Sequence, residues 1–217
     1  MSGLPIIGVT KWRRRDEIMK KRIREQDIYY FDSGEQEDAG LCAGMLRQMI
    51  GEIMRRENRR GVLLFCIGTD RSTGDSLGPL IGHKLRDLGQ KNERVQVVGT
   101  LDCPVHAMNL EQAIFMVRRC YPDHVIVAVD ASVGRSEHVG CVTLGKGALR
   151  PGLGVCKELQ AVGDIFITGI VGGCGSCDPL MLQSVRLSVV MRMADYICDS
   201  VRQALVPEPH NFCRRVL

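Results

Sequence analysis

Four aspartates, Asp70, Asp75, Asp102 and Asp130, each sit in a polar stretch that follows an apolar run. Two carboxylates a few ångströms apart cannot both ionise easily, so such a pair shares a proton. One member can then take a proton from water while the other protonates a leaving amine. The same oxygens can instead hold a divalent metal. The polar stretches are residues 68–79, residues 102–107 and the segment opened by Asp130-Ala131-Ser132. His106 lies in the second, and Arg71 in the first can attract an anion. Each residue also has a blander role. Asp75 can cap the helix that follows it, and Asp70 suits a turn or a cap. Asp102 and His106 are evenly balanced between support and chemistry. Asp130 follows a strongly apolar run, where a carboxylate is costly without partners, so function is favoured there. Ser72, Ser76 and Ser132 are candidate nucleophiles, but no G-x-S-x-G elbow holds them. The first loop is Gly-rich yet lacks the G-x-x-x-x-G-K-[ST] phosphate pattern.

These loops need strands to present them. Residues 62–67 form a continuous apolar run, the pattern of a buried strand. A helix is predicted over 77–88, a strand over 95–101 and a helix over 107–119. A third strand covers 125–129 and ends at Asp130. A short alternating strand follows at 139–144, a short helix at 154–161 and another strand at 165–171. Residues 178–205 read as one long amphipathic helix after the Gly172-Gly173-Cys174-Gly175 turn. Upstream, apolar residues at 41, 45, 46, 49, 50 and 53 mark a helical stripe over 41–56. Strands alternating with helices imply an α/β sandwich around a mostly parallel sheet. Residues 139–144 follow a strand without a helix between them, so that strand runs antiparallel. In open α/β sheets, sites lie beyond the carboxyl ends of the strands, where the aspartates cluster.

Composition sets the bounds. The 217 residues suit one domain, and 45% apolar with 25% charged residues excludes extensive disorder. A formal net charge of +4 makes no case for direct nucleic-acid binding. No run reaches the roughly 18–20 apolar residues of a membrane span. Residues 1–10 are apolar but lack a signal-peptide cleavage site. A cytoplasmic, reducing setting follows. Most of the 10 Cys lie in apolar patterns and behave as small core hydrophobes. The tight pair Cys174/Cys177 has no adjacent second pair or His for zinc, and packing is favoured over redox chemistry. Residues 11–24 carry eight basic side chains and residues 25–38 six acidic ones. The chain therefore divides into a charged arm (1–39), an α/β domain (40–205) and a tail (206–217). The arm is a solvated segment or a docking segment.

The motif GTDRSTGDSLGPLIGHKL (68–85), with GTLDCPVHAMNL (99–110), VDASVGRSEHVG (129–140) and GDIFITGIVGG (163–173), resembles the sporulation protein YyaC family. The resemblance covers about residues 40–205. That family is similar to the spore germination protease and, more distantly, to hydrogenase maturation endopeptidases. It implies a three-layer α/β/α sandwich, phosphorylase/hydrolase-like, with a mixed, mostly parallel sheet and one antiparallel strand. It also implies an aspartate-dependent endopeptidase of the sporulating cell or forespore, acting on protein or peptide substrates such as small spore proteins. Its functional carboxylates fall on Asp75 and Asp130; Asp70, Asp102 and His106, from the neighbouring loops, are the candidate supporting groups. No cofactor is implied for that chemistry, no membrane partner is expected, and a homo-oligomer is compatible with it. A non-catalytic sporulation regulator or scaffold on the same fold is one alternative. A metal-dependent maturation endopeptidase is another, with a divalent metal at Asp75 and Asp130. Its third ligand, a His, would fall near residues 150–152, where the chain has Arg150-Pro151-Gly152.

Overall fold

In the computed structural model, β1 (Ile28–Asp32), β2 (Gly61–Cys66), β3 (Val95–Val98), β4 (His124–Gly134), β5 (Cys141–Lys146) and β6 (Ile165–Gly173) form one sheet. Their spatial order is β1-β5-β6-β4-β2-β3. The structure describes residues 28–35, 37–151, 159–173 and 180–205. Strands β2, β3, β4 and β6 pair in parallel, while β5 pairs antiparallel with both β6 and β1. Among the described residues only β5 therefore runs against the rest, and the sheet is mixed and mostly parallel, as the sequence implies.

The helices are α1 (Glu37–Glu57), α2 (Leu77–Lys91), α3 (Leu110–Cys120), α4 (Leu180–Gln183) and α5 (Leu187–Leu205). Alternation along the strands decides what each helix covers. Val62, Leu64 and Cys66 of β2 and Val125, Val127 and Val129 of β4 pack with Leu46 of α1, Ile81 and Leu85 of α2 and Met193 and Ile197 of α5. Leu63, Phe65 and Ala128 point the other way, onto Leu110, Ile114 and Val117 of α3. Helices thus cover both faces, which is why β2 and β4 are apolar without interruption over most of their length. Asp130 is two residues beyond Ala128 on β4, so it shares the face that α3 covers.

Several elements differ from the sequence expectations. β1 lies within the stretch assigned to the charged arm, yet Phe31 is buried and the strand pairs with β5 along its full length. A five-residue strand with Asp27 before it and Asp32 as its last residue gives little pattern to detect. β3 stops at Val98 rather than residue 101, because Gly99 takes φ +88° and crosses over the end of β2 at Cys66. α3 starts at Leu110 rather than 107, since residues 106–109 form a closed loop. There Asn109 Oδ1 accepts from the His106 amide at 2.8 Å, and His106 Nδ1 accepts from the Met108 amide at 3.3 Å. The helix expected over 178–205 is two, α4 and α5. Leu182 of α4 packs on Gly74 in the loop after β2, whereas α5 packs on α1 and α2. One straight helix cannot serve both surfaces. The helix expected over 154–161 falls mostly on residues outside the described ones, and residues 159–161 are not helical. Cys174 and Cys177 also lie outside them.

Candidate active site

Asp75 sits in a 3₁₀ turn, Gly74–Ser76, between β2 and α2. It does not cap α2: the residue before that helix is Ser76, whose hydroxyl donates to the Thr73 carbonyl at 2.7 Å. The loop folds back because the Thr69 amide donates to the Asp75 carbonyl at 3.1 Å. Gly68 permits this approach at φ +141°, where a Cβ would collide with that carbonyl. Gly78 does the same one turn later, since a Cβ there would collide with the Ile67 carbonyl. Two glycines thus fix how close Asp75 comes to the end of β2.

Asp130 was expected to end its strand. Instead β4 continues to Gly134, with an irregularity between Ser132 and Val133. The strand continues because β6 supplies a pairing partner as far as Gly173. Asp130 stands in register with Thr168 of β6, and Thr168 with Thr143 of β5. The Thr143 and Thr168 hydroxyls are 2.6 Å apart, and Ser132 Oγ donates toward Thr168 Oγ1 at 3.2 Å and the Gly169 carbonyl at 3.3 Å. A row of hydroxyls therefore crosses the sheet beside the carboxylate. Thr143 and Thr168 escaped the sequence argument, because a threonine in a strand is ordinary until cross-strand register places it next to Asp130.

Asp75 and Asp130 line the same cavity, of about 320 Å³. His106, Ser132, Thr168, Arg71 and Arg150 also line it, with apolar walls from Ile67, Leu149, Leu159 and Leu182. Burial pushes the Asp130 carboxyl well above the usual carboxylate range, the Ala131 amide opposes this by donating to Oδ1 at 2.8 Å, and the charge of Asp75 adds to the rise. Burial also raises Asp75. The Ser72 hydroxyl is buried and makes no well-formed hydrogen bond, yet it lies close enough to Asp75 to offset part of that rise. Both carboxyls are thus harder to ionise than an isolated aspartate.

The other two aspartates go elsewhere. Asp70 is exposed and does not line the cavity. Asp102 is also exposed, and faces His83 at 3.8 Å and Arg86 at 3.7 Å. Neither lines the cavity with the pair. His106 does, because the chain returns to the end of β2 at Val105, which bridges Ile67. No group of three His, Cys, Asp or Glu is arranged to hold a metal ion among the described residues. Arg150 and Pro151 stand where the metal reading needs a His, so the donor set does not fit that metal. Of the described cysteines, Cys42, Cys66 and Cys198 are buried, Cys141 is half-buried, and Cys103 and Cys120 are exposed. Burial raises the thiols of Cys42 to about 11 and Cys198 to about 12, the behaviour of inert packing residues. No helix among the described residues is long and apolar enough to cross a membrane.

Comparison with known proteins places the chain in a family. The uncharacterized protein YyaC of Bacillus subtilis (strain 168) is 40% identical over 160 residues, spanning 74% of this chain and 77% of that protein. The solved structure of a NiFe hydrogenase maturation protease, HycI from Thermococcus kodakarensis KOD1, is similar over 73% of this chain and 99% of that one. Its identity is 15% and its TM-score 0.45, too loose a likeness to carry an argument about the site. The model of the family described as "Protein of unknown function (DUF1256)" matches residues 35–200, so the chain belongs to the DUF1256 family.

Proposed function

We propose that this protein is an endopeptidase in which Asp75 and Asp130 hydrolyse a peptide bond together. One observation carries the reading: two carboxylates with raised proton affinity line one cavity, and the charge of one raises the other. Asp130 is the more strongly shifted and keeps the proton; Asp75 is the ionised member. Asp75 takes a proton from water as the water oxygen attacks the carbonyl carbon of the substrate. The C–N bond then breaks, and Asp130 gives its proton to the departing amine. A proton passing from Asp75 to Asp130 restores the starting state. The hydroxyls of Ser132 and Thr168 lie where they can orient the substrate carbonyl. His106 is a positioning residue at the cavity wall.

The resemblance to the sporulation family points to proteins of the sporulating cell as substrates. The test is hydrolysis of small spore proteins by the wild type, Asp75→Asn and Asp130→Asn. Each substitution is expected to lower the rate by roughly 100-fold or more. Equal rates in all three proteins would refute the paired mechanism.

A further inference from the structure

The sheet has two edges, and β1 forms one of them. Among the described residues no strand pairs with its outer side. The ladder fixes which backbone groups face that side. The Ser33 amide donates to the Gly140 carbonyl at 3.2 Å, and across β5 the Gly147 amide donates to the Asp164 carbonyl at 2.8 Å. In an antiparallel ladder, successive residues face one neighbour and then the other. Tyr29 and Phe31 therefore bond toward β5, and the amides and carbonyls of Ile28, Tyr30 and Asp32 face outward. The Asp32 carbonyl is taken by the Glu35 amide at 3.1 Å, but Tyr30, at the centre of the strand, has no ladder partner on that side among the described residues. Lysine, proline or a bulge commonly blunts such an edge. β1 reads Ile-Tyr-Tyr-Phe-Asp and keeps an unbroken register with β5, so it carries none of them. The opposite edge strand, β3, is shorter and follows Glu93 and Arg94 directly.

Side chains around this edge are apolar as well. Ile28 and Tyr29 are exposed on β1, and Val139 is exposed beside Gly140, the residue that accepts from Ser33. Leu41 of α1 is exposed on the same flank. It lies two helical turns before Gln48, which bonds Glu52, and Glu52 pairs with Lys146 of β5. These are four of the eight large hydrophobic side chains exposed among the described residues, so apolar surface concentrates here. Charge selects the occupant. Residues 11–24 carry eight basic side chains and precede β1, whereas residues 25–38 carry six acidic ones and surround it. When β1 pairs antiparallel with its own copy, the stretch before one strand runs alongside the stretch after the other. Basic residues of each copy then meet acidic residues of its partner, twice over by two-fold symmetry. A parallel pairing places like charge on like. We propose that two copies of this chain join edge to edge through β1, in an antiparallel pair that carries the sheet across a two-fold axis. A five-residue strand alone is smaller than a stable interface requires, and the apolar side chains and charged stretches supply the rest. Pairing at β1 is independent of the endopeptidase reading.

The full chain is followed by sedimentation velocity from about 1 to 100 µM, and by hydrogen exchange at both ends of that range. Twice the chain mass is expected at the upper end. The amides of residues 28–32 are expected to exchange about 10-fold more slowly there than in the monomer. Raising salt from about 0.1 to 1 M shortens the screening length and is expected to weaken the dimer about 10-fold. Ile28→Lys, which puts a charge on the edge, is expected to weaken it at least as much and to leave thermal unfolding of the monomer unchanged. If that variant does not fold, exchange in the wild type decides alone. A monomer at every concentration, a dimer with unchanged exchange over 28–32, or a dimer indifferent to salt and to Ile28→Lys would overturn the proposal. So would slow exchange over 28–32 already present in the monomer, since a segment of the same chain then covers the edge.

Discussion

Asp130 is held against its own ionisation. Burial disfavours its charge, the Ala131 amide favours it, and the nearby Asp75 carboxylate disfavours it again. Because its folded value lies above the ordinary 3.8, the stability it contributes is full below that pH. That contribution is lost as pH rises toward the folded value. Asn at this position keeps an oxygen for the Ala131 amide and has no charge to bury. Asp130→Asn is therefore expected to match the wild type near pH 4 in urea unfolding and to exceed it by ~1 kcal/mol or more at pH 8. A difference independent of pH would show that Asp130 is not strained. The same variant loses hydrolysis, so stability rises where activity falls. The sequence marked Asp130 by the cost of a carboxylate after an apolar run. It marked Asp70 as a turn or cap residue and left Asp102 evenly balanced, and nothing local separates exposed aspartates from enclosed ones.

At the scale of elements, the loop after β2 depends on backbone contact. Gly78 brings α2 against the end of β2, and any Cβ there would meet the Ile67 carbonyl. Gly78→Ala is expected to cost ~1–3 kcal/mol by denaturant unfolding, the range of an overpacked core, and to lower activity by moving Asp75. Gly44 in α1 is the control, because a Cβ there meets nothing within 4 Å. Gly44→Ala is expected to stabilise by ~0.5–1 kcal/mol through helix propensity alone. Equal effects at the two sites would refute the packing account. The glycines of the 68–85 motif were visible in the sequence, but their reason is a tertiary one. The break between α4 and α5 was not visible, since the apolar period continues through 184–186 while the two surfaces being covered differ.

Across the whole molecule, β4 carries opposite titrations at His124 and Asp130. His124 opens the strand with both ring nitrogens buried and unpartnered, its ring edge-on to Tyr121 at 5.2 Å between centroids. Burial lowers its proton affinity, and Asp123 opposes this. Its folded value lies below the ordinary 6.5, so its contribution is present above that pH and lost as pH falls. His124→Phe, which keeps a ring and removes the titration, is expected to flatten the loss of stability between about pH 6.5 and 5. Thermal unfolding across that range measures it, and an unchanged slope would count against it. Asp130→Asn acts on the opposite limb, so the two variants tilt the stability curve in opposite directions.

The sequence by itself determined the alternation of buried strands with helices, the single reversed strand and the polar loops at strand ends, because these follow from local periodicity and turn chemistry. It also marked Asp75 and Asp130 through motif resemblance. Only the tertiary structure decided which aspartates line the same cavity. β2 lies beside β4, so the loop after β2 carries Asp75 into the cavity beside Asp130. β3 is an edge strand, and its following loop turns back only at Val105. That turn delivers His106 and leaves Asp102 outside. Strand order is a long-range packing outcome, set by which faces bury against which helices, and no local pattern in the chain encodes it.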